Sequence, residues 1–147
     1  MRFLGLDVGS VRIGVAMSDE TGLIAQGLTT LERINWKKDL GRILDLVRTQ
    51  GIDGVVVGNP LNLDGSTGPQ AEVIQDFVSR LKKISPVEVR LWDERLSSVS
   101  AERVLIEGGM QRGRRKPLID KLAAVIFLQN FLDHRNQSPS QGQENGE

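Results

Sequence analysis

The 147 residues carry 19 Lys+Arg against 19 Asp+Glu, so any affinity for nucleic acid has to come from local clustering of cations and not from overall charge. The absence of cysteine excludes disulfides, thiolate nucleophiles and Cys-based zinc sites. The length suits one ordinary domain, and no apolar run approaches a membrane span, so the expectation is a cytoplasmic protein with no membrane partner.

Residues 2–8 and 12–18 predict two paired strands with a bend at Gly9-Ser10. A third strand is expected over Ile24–Leu31, after the turn Asp19-Glu20-Thr21-Gly22. From Trp36 to Gln50 the period changes, with Leu40, Ile43, Leu44 and Val47 on one helical face and Gly51 as the stop. Ile52–Val57 is a short β-branched run, suited to a strand covered on both sides. The stretch Gly58–Gly68 is rich in turn residues and too long for a mere connector. A helix follows over Pro69–Ile84, striped by Val73, Ile74, Phe77, Val78 and Leu81. Val87–Trp92 predicts the last strand, which runs into Asp93-Glu94-Arg95. Ser97 or Ser98 can cap a further helix that Gly108-Gly109 ends. A basic loop then leads to Pro117, a good first helical residue, and the final helix runs to about His134. Residues 135–147 read as a disordered polar tail, leaving 1–134 as the folded domain. Three strands followed by helical crossovers describe a three-layer α/β fold, a mixed five-stranded sheet with helices on both faces.

Acidic residues gather at the ends of these elements, where sites in open α/β sheets form. Asp7 closes the first strand, although Asp7-x-Gly9 is also ordinary turn chemistry. Asp93 and Glu94 close the last strand and lie on opposite faces of its pleat, so only one of them can point into a shared site. Asp120 falls in the first turn of the final helix, where an acid can simply complement the helix dipole. It shares a stripe with Ala124, Phe127 and Phe131, however, and an inward acid needs a partner. Converging carboxylates repel unless a proton or a metal neutralises them, and oxygen-only ligands suit Mg²⁺ or Mn²⁺. The lone His134 has no evident partner, so a His-rich metal site is excluded. A carboxylate cluster with Mg²⁺ is the usual arrangement for cutting phosphodiesters.

Just before Asp120, Arg112-Gly113-Arg114-Arg115-Lys116 concentrates cations that can grip phosphates, or else forms a solvated loop. Arg12 can contact a phosphate or pair with a surface acid. Aromatic residues make up 4% of the chain, too few for a base-stacking platform of the single-strand-binding kind.

Four stretches, LDVGSVRIGVA (6–16), VVVGNPLNLDGSTGPQA (55–71), DERLSSVSAE (93–102) and KPLIDKLAAVIFLQ (116–129), together resemble the YqgF family of Holliday-junction-resolvase-like proteins. The resemblance implies a ribonuclease H-like fold and a divalent-metal nuclease that matures the 5′ end of 16S ribosomal RNA in the bacterial cytoplasm. It implies Asp7, Glu94 and Asp120 as catalytic and metal-binding acids, with Arg12 on the arginine of the first motif. Asn59 stands where an apolar residue is expected between glycine and proline, and Ser97-Ser98 replace threonines. Pre-16S RNA, free or in a ribosomal particle, is the substrate the resemblance favours. A branched DNA junction or binding without cleavage are the alternatives.

Overall fold

The structure, a computed structural model, describes residues 1–60, 64–93 and 112–137, with side chains from Asp120 onward in the last segment. In chain order the elements are β1 (Phe3–Val8), β2 (Arg12–Ser18), β3 (Ala25–Glu32), α1 (Trp36–Thr49), β4 (Gly54–Asn59), α2 (Pro69–Ile84), β5 (Glu88–Asp93) and α3 (Arg112–Asn136). The helix expected between Ser97 and Gly108 lies outside the described residues, as does the expected tail from residue 138 onward. Residues 135 and 136, expected in that tail, belong to the last turn of α3.

Local chemistry sets the boundaries. The Asn35 side chain accepts from the Lys38 N–H at 2.9 Å and starts α1. At the other end Gly51 takes a left-handed φ of 64°. The Ile52 N–H donates back to the Val47 carbonyl at 3.0 Å, which closes the helix in a Schellman turn. Ile52 is therefore committed to the end of α1, and β4 begins at Gly54 and not at Ile52 as the apolar run suggested. Asp19 gathers the N–H groups of Ile24, Thr21 and Leu23 and the Thr21 hydroxyl, and these hold its carboxyl well below the usual carboxylate range. That turn leads into β3.

The sheet order is β3-β2-β1-β4-β5. The β1–β2 and β2–β3 pairs are antiparallel, and β4 runs parallel to both β1 and β5. Between β2 and β3 the register slips at Val15/Ala16, where Leu28 is the extra residue. One face of the sheet carries Leu4, Leu6, Val8, Ile13, Val15, Val55, Val57 and Val89 and packs on α1 and α2. The other face carries Phe3, Ala16 and Val56 and packs on α3 through Ala123, Ala124, Phe127, Leu128, Phe131 and Leu132. The fold is thus the three-layer, mixed five-stranded arrangement expected from the order of elements.

The final helix departs from expectation at its start. It begins at Arg112, so the basic stretch is helix and not loop, and Pro117 falls inside it. Arg and Lys are good helix formers, and Pro117 lies near enough to the helix start that the chain continues through it, although it forgoes the bond to the Gly113 carbonyl.

Glycines let α3 come close to the sheet. A Cβ on Gly14 would stand 2.1 Å from the Asp120 carbonyl oxygen and 2.5 Å from its carbon. Backbone occupies the place of a side chain. Gly14→Ala should therefore push α3 off the sheet and destabilise the protein by about 3 kcal/mol, measurable by urea denaturation. Gly41→Ala, where a Cβ meets nothing within 4 Å, should be neutral or slightly stabilising.

Candidate functional site

The pleat decides which side chains can meet. Asp7 follows Phe3 and Gly5 on the α3 face of β1 and is half-buried. Its cross-strand partner is Gly14, the residue on which the backbone of Asp120 rests. Asp7 and Asp120 thus belong to one end of one sheet face. Asp120 lies well inside α3, whose first turn holds no acidic residue, so the helix-dipole account of this position does not apply. The stripe it shares with Ala124, Phe127 and Phe131 faces the sheet.

The third acid came with a choice between neighbours. In β5, Val89 and Leu91 pack with the α1–α2 face and Trp92 packs with α3. By parity Asp93 falls on the α1–α2 side, away from Asp7. Its ladder partner is Asn59 of β4. Glu94 lies outside the described residues. Among the described residues no three His, Asp or Glu side chains stand close enough to hold a metal.

Of the predicted phosphate contacts, Arg12 makes an ion pair from Nε to Glu32 Oε2 at 2.9 Å, the surface-acid alternative that its position left open. Arg112, Arg114, Arg115 and Lys116 occupy the first turns of α3, and their side chains lie outside the described part. His134, expected to lack a partner, makes an edge contact with the Trp92 ring at 5.2 Å between centroids.

Sequence reasoning missed a second polar centre beside Asp7. Asp39, in the first turn of α1, is only 1% exposed. It accepts from Arg33 Nε (2.8 Å), Arg42 Nη2 (2.7 Å) and the Ile34 N–H (3.0 Å). Burial pushes its carboxyl up, but those three bonds prevail and hold it below the ordinary carboxylate range. The same Arg33 donates Nη1 to the Gly9 carbonyl at 2.7 Å and its N–H to the Val11 carbonyl at 2.8 Å. The turn that follows Asp7 is therefore tied to α1 through a buried ion pair. A signal was available. Asp39 stands four residues before Ile43 on the buried side of α1, the same logic that singled out Asp120.

Asn59 is a further case. It is 8% exposed, and its Oδ1 has no hydrogen-bond partner among the described residues.

Comparison with known proteins bears on this arrangement. Residues 1–134 match the family model described as RuvX, Holliday junction resolvase. The chain belongs to the RuvX family. This agrees with the Holliday-junction-resolvase-like resemblance of the four sequence motifs. A relative from Thermoanaerobacter pseudethanolicus, named "Putative pre-16S rRNA nuclease", is 50% identical over 134 residues, covering 90% of this chain and 96% of the relative. A Bacillus mycoides protein of the same name is 49% identical over 138 residues, covering 92% of this chain and all of that one. Among solved structures, T. thermophilus RuvC in complex with a Holliday junction substrate superposes with a TM-score of 0.59 at 16% identity, over 94% of this chain and 97% of that one. At that identity the likeness speaks for the fold, and it identifies the RuvX-family sheet as the ribonuclease H-like one.

The Asp39 centre makes a pH-dependent contribution to stability. Its folded pKa is lowered from 3.8, so its stabilisation is fully present above that value and is lost as pH falls through the lower folded value. Asp39→Asn leaves two guanidinium groups without their buried counter-charge, and at neutral pH should cost about 3 kcal/mol in urea denaturation. The gap between native protein and variant should narrow as pH falls below 3.8. A constant gap from pH 7 downward would show that the carboxylate charge is not what stabilises.

Proposed function

We propose that this RuvX-family chain is a divalent-metal nuclease that hydrolyses phosphodiester bonds of pre-16S ribosomal RNA, free or within a ribosomal particle, during ribosome biogenesis in the cytoplasm. The observation that carries the reading is the register of Asp7 with Gly14 directly beneath the backbone of Asp120. It joins acids far apart in sequence at the carboxyl end of β1, where such sheets hold their sites. The relatives' name supplies the substrate class.

The proposed third member is Glu94. Asp93 has the wrong parity to share a face with Asp7, which favours its neighbour Glu94, the acid that the family resemblance implies. Between β1 and β5 lies only β4, so the two strand ends are about 10 Å apart. On that face β4 presents Gly58, which adds no side chain between the acids. Asp7, Glu94 and Asp120 would hold Mg²⁺ or Mn²⁺, for which an all-oxygen donor set is suited. Such an ion supplies activation of water and neutralisation of charge developing on the phosphate. Arg112, Arg114, Arg115 and Lys116 would contact the phosphates on either side, together with Arg12, which among the described residues donates Nε to Glu32 and carries five donors in all. Hydrolysis would leave 5′-phosphate and 3′-hydroxyl ends.

Asp7→Asn should lower cleavage of an RNA carrying the 16S 5′ precursor region by more than about a hundredfold in Mg²⁺ or Mn²⁺. Binding of that RNA should persist, because the cationic surface is untouched. Cleavage by the variant at the native rate would end the metal-site reading. Paired nicking of a four-way DNA junction with the RNA left intact would replace RNA by branched DNA as the substrate.

A further inference from the structure

The motif Gly58–Gly68, too long for a connector, delivers the chain to the start of α2, and the acids do not account for it. Where α2 begins, the structure holds a cavity of about 450 Å³. Its walls are Val8, Pro69, Val73 and Ile74, with Gly9, Ser10, Arg33 and Gln70 as the polar part. The volume lies within the range of small-molecule sites, and the mix of aliphatic walls with a few polar groups is typical of them.

Two observations give the cavity an occupant. First, its wall residues Val8, Gly9 and Ser10 directly follow Asp7 in the chain. The pleat sends Asp7 to one face of the sheet and Val8 to the other, so a polymer crossing the end of β1 meets the acids on one side and the cavity on the other. Second, Arg33 is fixed in the wall by its bonds to Asp39 and the Gly9 carbonyl, which leaves a preorganised cationic plane beside apolar side chains. The N-cap of α2, Gly68, supplies no side-chain hydrogen bond to the first turn, so the helix start also favours a group rich in acceptors.

We infer that this cavity receives one unpaired nucleobase of the substrate strand, next to the phosphate that Asp7 addresses. The inference rests on the nuclease reading for the identity of the strand. A flat heterocycle fits aliphatic walls, and an arginine plane beside it needs no aromatic platform, which this chain's composition does not supply. A base inside a duplex is closed to such a pocket. The preferred substrate is accordingly single-stranded at this position.

The test is a binding measurement in EDTA, which stops cleavage and so separates this inference from the nuclease reading. The probe is a fluorescein-labelled single-stranded RNA of about a dozen nucleotides, followed by anisotropy. Val73→Trp fills the cavity from a position that is 50% exposed, and Ile84→Trp serves as control at the far end of the same helix, 51% exposed. Val73→Trp should weaken binding roughly tenfold or more, while Ile84→Trp leaves it unchanged and both keep the native melting temperature. Abasic substitution along the RNA should reproduce that loss at one position in the native protein, and should add nothing in Val73→Trp. Undiminished binding by Val73→Trp, or indifference to abasic sites at every position, would overturn the inference. So would equal binding of the fully paired duplex with the same sensitivity to Val73→Trp. Should Asp7→Asn cleave normally while these binding results hold, the nuclease reading fails and the base pocket stands.

Discussion

The architecture depends on how near α3 lies to β2. A helix over a sheet usually rests on side chains, but here the Asp120 carbonyl occupies the place where a Cβ of Gly14 would be. The approach is possible because the strands under α3 present small residues, Gly5, Gly14 and Ala16 among them. It fixes more than packing. Gly14 is opposite Asp7 in the ladder, so the contact that seats the helix also sets the height of Asp120 above the first acid.

The opposite face is organised around charge. Asp39 is buried with two arginines, an arrangement that often contributes little to net stability because desolvating the ions offsets their attraction. Its value here is geometric. Arg33 spans from Asp39 to the Gly9 carbonyl, so the turn after Asp7 is held by α1 as well as by its own hydrogen bond from the Gly9 N–H to the Arg12 carbonyl. The two faces thus hold the same β1–β2 hairpin, one through backbone contact at Gly14 and one through a guanidinium at Gly9. The cavity at the start of α2 shares that guanidinium as a wall.

Much of this was legible in the residues, and the parts that were not have physical causes. Periodicity gave α1 and α2 because each buries one clean stripe, and β1, β2, β3 and β5 stood out as short strand-like runs between turn residues. The start of β4 was misjudged because Ile52 is apolar for a local reason, the Schellman closure of α1, and not for a place in the sheet. The start of α3 was misjudged because proline was given more weight than the helix propensity of the preceding arginines and lysine. Whether Asp93 shares the face of Asp7 could not be read from alternation alone. It needed to be known which face Asp7 occupies, and that follows from the packing of Phe3 and Gly5 against α3. Arg33 and Asp39 escaped notice because a buried ion pair between neighbouring elements leaves only a weak mark in sequence, one acid on an apolar stripe. Asn59 was visible as a departure from the family pattern, yet only its burial shows that its carbonyl oxygen lies away from water.

The order of elements along the chain has a consequence for how the protein is born. Asp7 is among the first residues made, whereas α3, which among the described residues covers its face of the sheet, is among the last. During synthesis the α1–α2 side can close as soon as β5 has emerged, while Phe3, Ala16 and Val56 wait uncovered. On the proposed site assignment, a nascent chain would hold its first acid but not its last. The enzyme would stay silent toward RNA, including that of the ribosome producing it, until nearly the whole domain has been translated.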